Sequence, residues 1–205
     1  LIRILYASYI FLAVASLILL RTRRFTKLYP LAFVSSVMFV LSALMFNPFF
    51  DLISATLIYL VIWDALKHGF LTYPEFKPPL FEKRITTAGI ILLAIGMTLG
   101  LILHRSTNIC VFGQCLVLFL SRLILANTFA ILALSRERSF TRVGDYEVLM
   151  LASALILADG VVDVLLHSTM DIILNLNIDI CMIEAIDVHL LYTSSLLFML
   201  STIRK

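Results

Sequence analysis

Residues 4–27 read ILYASYIFLAVASLILLRTRRFTK, an apolar run without a charge from 4 to 20 that breaks on Arg21, Arg23, Arg24 and Lys27. A helix of roughly 17–25 apolar residues crosses the hydrocarbon core of a bilayer. A basic cluster just beyond it marks the end that stays in the cytoplasm. A cleaved secretory signal carries its positive charge before the apolar stretch, so the order here reads as a retained first span.

The alternation continues outward along the chain. Apolar blocks fall at about 4–20, 29–46, 52–67, 87–104, 115–135, 147–168 and 182–203. Basic residues collect at every second connection: Lys67, Lys77, Lys83 and Arg84, then Arg136, Arg138 and Arg142, then Arg204 and Lys205. With the first cluster these make 13 of the 16 Lys and Arg. Arg3 and Arg105 fall in the alternate segments, and Arg122 lies inside an apolar block. The expectation is an all-α polytopic membrane protein of seven transmembrane helices, a single domain over 1–205. It is a multi-pass protein of the cell membrane, N-terminus outside and C-terminus cytoplasmic, with 21–27, 67–86, 136–146 and 204–205 on the cytoplasmic side.

A chain that is 61% hydrophobic, with mean hydropathy +1.05, has connections too short for a separate soluble domain. Its net charge of +3 suits anionic headgroups and calls for no nucleic acid. Cys110, Cys115 and Cys181 all map outside and are disulfide candidates, Cys110 with Cys115 or with Cys181. A lone C-x4-C without nearby His argues against zinc. No proline falls within a span, Pro48 marks the tight outer turn after the second block, and no G-x-x-x-G occurs, which disfavours broken helices and glycine-mediated contacts. Tyr6 and Tyr9 outside, and Tyr29, Trp63 and Tyr146 inside, suit the interfaces. Residues 171–180 (DIILNLNIDI) fit either a short extended stretch or an interfacial helix. Residues 21–27 (RTRRFTK) and 136–142 (RERSFTR) echo one another, as two basic loops or as the mark of two parallel three-helix units.

Ionisable residues within spans are costly and are read by default as functional. They gather in the outer half of the last three blocks: Arg122, then Asp159, Asp163 and His167 at i, i+4 and i+8, then Glu184 and Asp187 at i, i+3. Two readings stay open. In one, Arg122 pairs with Asp163 or Asp159 and locks two helices together. In the other, the cluster lines a polar cavity open to the outside that binds a cation or passes protons. Asp163 and His167 are one turn apart and suit a metal, with Glu184 or Asp187 as third ligand. A bis-His haem would need His167 and His189, which differ in depth. Retinal is excluded by the lack of a Lys in the last block before Lys205. The cofactor is therefore left unassigned.

Asp64 in Trp63–His68 and Asp145 in Val143–Leu149 lie at the cytoplasmic ends of two spans. This layout resembles the GxGD-type intramembrane aspartyl proteases, in which two carboxylates sharing a proton activate a water. The resemblance implies catalytic roles for Asp64 and Asp145. It departs from the family's pattern at Arg142, which occupies the first Gly position and leaves only Gly144-Asp145.

Three functions follow. The leading expectation is a non-catalytic helical subunit of a larger, energy-transducing membrane complex, partnered by other membrane subunits or by itself within the lipid bilayer. The second is a transporter or cation pathway built on the outer cluster, and the third is the protease.

Overall fold

The computed structural model describes residues 2–21, 29–45, 47–69, 71–73, 82–103, 109–137, 146–175 and 180–203. Within them the chain forms seven helices: α1 (Ile2–Arg21), α2 (Tyr29–Met45), α3 (Pro48–Lys67), α4 (Lys83–Leu103), α5 (Ile109–Leu134), α6 (Tyr146–Asn175) and α7 (Ile180–Ile203). Three are long and apolar enough to cross a membrane, over Pro48–Lys67, Leu116–Leu134 and Ile183–Ile203, and Ile2–Ile18 and Pro30–Met45 are shorter apolar helices. The protein is all-helical and membrane-associated.

Helix α3 begins earlier than the hydropathy of the chain suggests. Asn47 is its N-cap, accepting a hydrogen bond at 3.0 Å from the Phe49 amide. Pro48 takes the first helical position, where a missing N–H costs nothing. Pro48 therefore opens the helix, and Asp51 is carried into the first turn. The helix stops at His68 and Gly69, and Gly69 adopts φ 69°, the left-handed conformation that ends many helices. At the other extreme α6 runs 30 residues, roughly 45 Å at 1.5 Å per residue. It absorbs Asp171–Asn175, and the alternating residues 176–179 lie outside the described set.

Six helices close a ring: α1 packs on α2, α2 on α3, α3 on α5, α5 on α6, α6 on α7, and α7 back on α1. Helix α4 lies against α6 and α5. The two halves reuse one packing device. Ser54 donates to the Ser35 carbonyl at 3.1 Å between α3 and α2, and Ser194 donates to the Ala152 carbonyl at 2.8 Å between α7 and α6. Ser153 likewise donates to the Ala126 carbonyl of α5 at 2.7 Å. Small hydroxyl residues let helices approach and satisfy one another where water is absent.

Glycine also contributes, against the sequence expectation. A β-carbon at Gly160 would lie 2.8 Å from Arg122 Cβ and 3.4 Å from Phe119 Cδ2, so α5 and α6 touch there. Single glycines suffice for such contacts without a G-x-x-x-G repeat.

At the end of the bundle opposite Asn47, Leu71–Thr72 (β1) pairs antiparallel with Arg136–Glu137 (β2), bringing two basic connections together. Buried Asn127 anchors the start of α4 there, accepting from the Glu82 amide at 2.8 Å and the Thr86 hydroxyl at 3.2 Å. Large apolar side chains remain exposed on the outside of the ring, among them Phe33, Val37, Val40 and Leu44 of α2 and Ile90, Ile91 and Ile95 of α4.

Candidate functional site

The end of the bundle that holds Asn47 contains a cavity of about 480 Å³. Its walls come from five ring helices and the end of α2: Leu5 and Tyr9 (α1), Ser42 (α2), Pro48 and Asp51 (α3), Gln114, Leu118 and Arg122 (α5), Asp159 and Asp163 (α6), and Asp187, Val188 and Leu191 (α7). Among the described residues, four carboxylates thus face one guanidinium across a partly apolar space.

Arg122 is the hub, 2% exposed. Its Nε donates to Asp159 Oδ2 at 2.6 Å, and its Nη1 donates to Asp51 Oδ2 at 3.1 Å. Tyr9 donates its hydroxyl proton to the same Asp51 Oδ2 at 2.7 Å, and its oxygen accepts a longer bond from Arg122 Nη2 at 3.4 Å. The guanidinium carbon also stands 6.0 Å from the centre of the Tyr9 ring. One side chain thereby joins α1, α3, α5 and α6, and spans the contact between the α1–α3 and α5–α7 halves. The stem of Arg122 reaches this position because Gly160 offers no side chain beside it.

The pairing is incomplete. Asp51 is 1% exposed, yet its Oδ1 has no hydrogen-bond partner among the described residues, and neither does the buried Oδ1 of Asp187. Burying a carboxylate oxygen without a donor costs more than leaving it in water, and each such atom in a folded protein calls for an explanation. Asp163, itself buried, lines the wall with Asp187 from the neighbouring helix and interacts with it.

Of the six residues expected from the sequence, Arg122, Asp159, Asp163 and Asp187 line the cavity. Arg122 meets Asp159, one of the two partners anticipated for it. Glu184 does not join them; it is exposed on α7 and absent from the cavity wall. Positions three apart on a helix differ by about 60° even when they share a broad face, enough to turn Glu184 outward. For His167, Cys110, Cys115 and Cys181 the helix path is described and the side chains are not, so metal ligation by His167 and the disulfides lie outside the described residues. Among the described residues no three His, Cys, Asp or Glu side chains converge as a metal site requires. His189 is exposed, with Nδ1 2.6 Å from the Ala185 carbonyl.

Asp64 contacts His68 Nδ1 at 3.1 Å at the far end of α3, and Asp145 lies outside the described residues, as does any pairing of the two.

Two residues of the site escaped sequence reading. Tyr9 reads as an interface aromatic but is 7% exposed and bonded to Asp51. Asp51 reads as part of the outer turn. The signal that places it is the cap: Asn47 followed by Pro48 starts a helix, and Asp51 then falls one turn inside.

Comparison of the chain with models of known protein families, with curated proteins and with solved structures finds no match.

Proposed function

We propose that this chain is a seven-span membrane protein, N-terminus outside and C-terminus cytoplasmic, whose outer-facing cavity takes up a cation or proton as one stage of a transport pathway. The observation that carries the proposal is the charge imbalance of the cavity among the described residues: Asp51, Asp159, Asp163 and Asp187 against Arg122, with no described partner for the buried Oδ1 of Asp51 or of Asp187. Buried acids in excess of buried bases are balanced by protons or by a bound cation. A role limited to packing within a larger complex, which the sequence alone favours, gives no reason for either orphan oxygen.

The ring suggests how occupancy is felt by the rest of the protein. Arg122 holds α3 through Asp51 and α6 through Asp159. A cation that engages Asp51 competes with Arg122 for that carboxylate while the bond to Asp159 persists. Occupancy is then coupled to the contact between the two three-helix halves, the arrangement used by transporters built on parallel repeats. The apolar stripes of α2 and α4, and the shared end of Leu71–Thr72 and Arg136–Glu137, support the seven-span orientation.

The test is flux into proteoliposomes holding the full chain, read with an internal pH dye and with cation-selective dyes. A proton or cation flux that falls at least about tenfold in Asp159→Asn and Asp163→Asn, a change of about 1.4 kcal/mol in the barrier, supports the proposal. Flux that both variants leave unchanged contradicts it.

A further inference from the structure

We infer that the chain is built from two copies of one three-helix unit, α1–α3 and α5–α7, which move as rigid bodies against each other and are latched by Arg122 and Asp51. The inference goes beyond the transport reading and rests on the side-chain environments of the two units. Residues 47–58 and 187–198 run through the same order of buried, half-buried and exposed positions without a break. Residues 30–45 of α2 and 147–162 of α6 do the same except at Phe33, Val40, Leu44 and Met45. Each of those four is more exposed than its counterpart (Met150, Leu157, Val161 and Val162), and α6 is the helix on which α4 lies.

On α1 and α5, Leu5, Ser8, Leu12 and Ala13 match Leu118, Ser121, Leu125 and Ala126 at one constant spacing, each with the burial of its counterpart. Any two helices share a period of about 3.6 residues, so burial alone is weak support. The hydrogen bonds keep the same registers, which the period does not require. Ser54 and Ser194 are counterparts, and so are Ser35 and Ala152, whose carbonyls accept from them. Exchanging the units also maps the ring onto itself, since the contact of α1 with α7 becomes that of α5 with α3.

The cavity lies where the units meet, and counterparts build its wall. Tyr9 corresponds to Arg122, Ser42 to Asp159 and Asn47 to Asp187. In each pair the first unit supplies the neutral residue and the second the ionisable one. Asp51 reverses the pattern, since its counterpart is Leu191. Arg122 is bonded within its own unit to Asp159 at 2.6 Å, and across the boundary to Asp51 at 3.1 Å and Tyr9 at 3.4 Å. The other seam carries an aromatic contact, Phe11 of α1 against Tyr192 of α7 at 5.4 Å. Such a contact has no bond to break when packed helices slide. Parallel repeats of this kind rock about the site between them. Asp51 is therefore the point at which the first unit is held to the charged second unit.

The experiment is double electron–electron resonance on the full chain in lipid nanodiscs, with nitroxide labels on introduced cysteines and Cys110, Cys115 and Cys181 replaced by Ala. Phe49→Cys with His189→Cys, two exposed counterparts, reads the separation between units. Ile2→Cys with Phe49→Cys, and Leu120→Cys with His189→Cys, read each unit internally from exposed sites. Asp51→Asn is expected to widen the first separation by about 2 Å or more and to leave the other two unchanged. Tyr9→Phe removes a bond across the boundary while keeping the Asp51–Arg122 pair, and supplies a smaller shift in the same direction if Asp51→Asn does not fold. An equal change inside a unit, or no change between units in either variant, overturns the inference. Proton or cation flux with a fixed separation also overturns it and leaves transport standing. A responsive separation without flux upholds it and removes the transport reading.

Discussion

The Cα of Gly160 approaches Arg122 so closely that a β-carbon there would lie 2.8 Å from Arg122 Cβ and 3.1 Å from its Cγ. Both atoms belong to the stem of a side chain pinned at its far end by Asp159 and Asp51. Arg122 cannot give way without breaking those bonds. Gly160→Ala is expected to force α5 and α6 apart and to cost about 1–3 kcal/mol, the range for overpacked interiors. Gly89→Ala is the contrast: its nearest neighbour, at 2.6 Å, is the terminal Cδ1 of Leu123, which can rotate. Thermal unfolding in detergent should rank Gly160→Ala well below Gly89→Ala.

Removing the hub isolates two buried acids. Arg122→Met leaves Asp159 without its ion pair and Asp51 with only Tyr9, and breaking a buried pair from one side costs about 3–5 kcal/mol. The loss should shrink when Asp51→Asn and Asp159→Asn are added, because the stranded charges are then gone. A double-mutant cycle on melting midpoints measures that coupling. Simple additivity would show that the three side chains do not act as one network.

At the other end of the bundle, Asn127→Leu removes the acceptor shared by the Glu82 amide and the Thr86 hydroxyl. Both donors are only part-buried, so the loss is expected at the low end of the range for an unmatched donor, about 1 kcal/mol. The expected result is faster hydrogen exchange at the first turn of α4, with α1 and α2 unaffected.

Gly69→Ala tests the stop of α3. The site is open, so sterics are no obstacle, and the positive φ of 69° alone opposes a side chain. The expected cost is about 1–2 kcal/mol. A neutral substitution would show that the turn relaxes.

Much of this fold is legible in the sequence because bilayer physics is coarse. Each apolar block in the chain has a helix in the structure, and three of these helices are long and apolar enough to cross a membrane, where a backbone must bond to itself. The cluster was legible for the same reason: Arg122, Asp159 and Asp163 stand out against apolar neighbours. Asp51 did not, because hydropathy averages over a window and places a residue beside Asn47-Pro48 in the turn. Only the cap puts it inside α3. Tyr9 was hidden by ambiguity, since a Tyr near a helix end suits both an interface and a buried hydrogen bond, and its partner lies 42 residues away. Gly160 looked unremarkable without a second glycine, and its role appears only once Arg122 is seen to cross it.

The most direct measurement is the charge preference of the cavity from outside intact cells. With Cys110, Cys115 and Cys181 replaced by Ala, Val188→Cys puts one thiol on the cavity wall beside Asp187. A cationic and an anionic methanethiosulfonate of similar size are then added externally. The cationic reagent should react at least about tenfold faster, with the preference falling as salt screens the acids. Glu184→Gln, a change on the exposed face of α7, should leave that preference intact. Equal rates, a preference for the anion, or reaction only after the membrane is opened would contradict an outward-facing cation cavity.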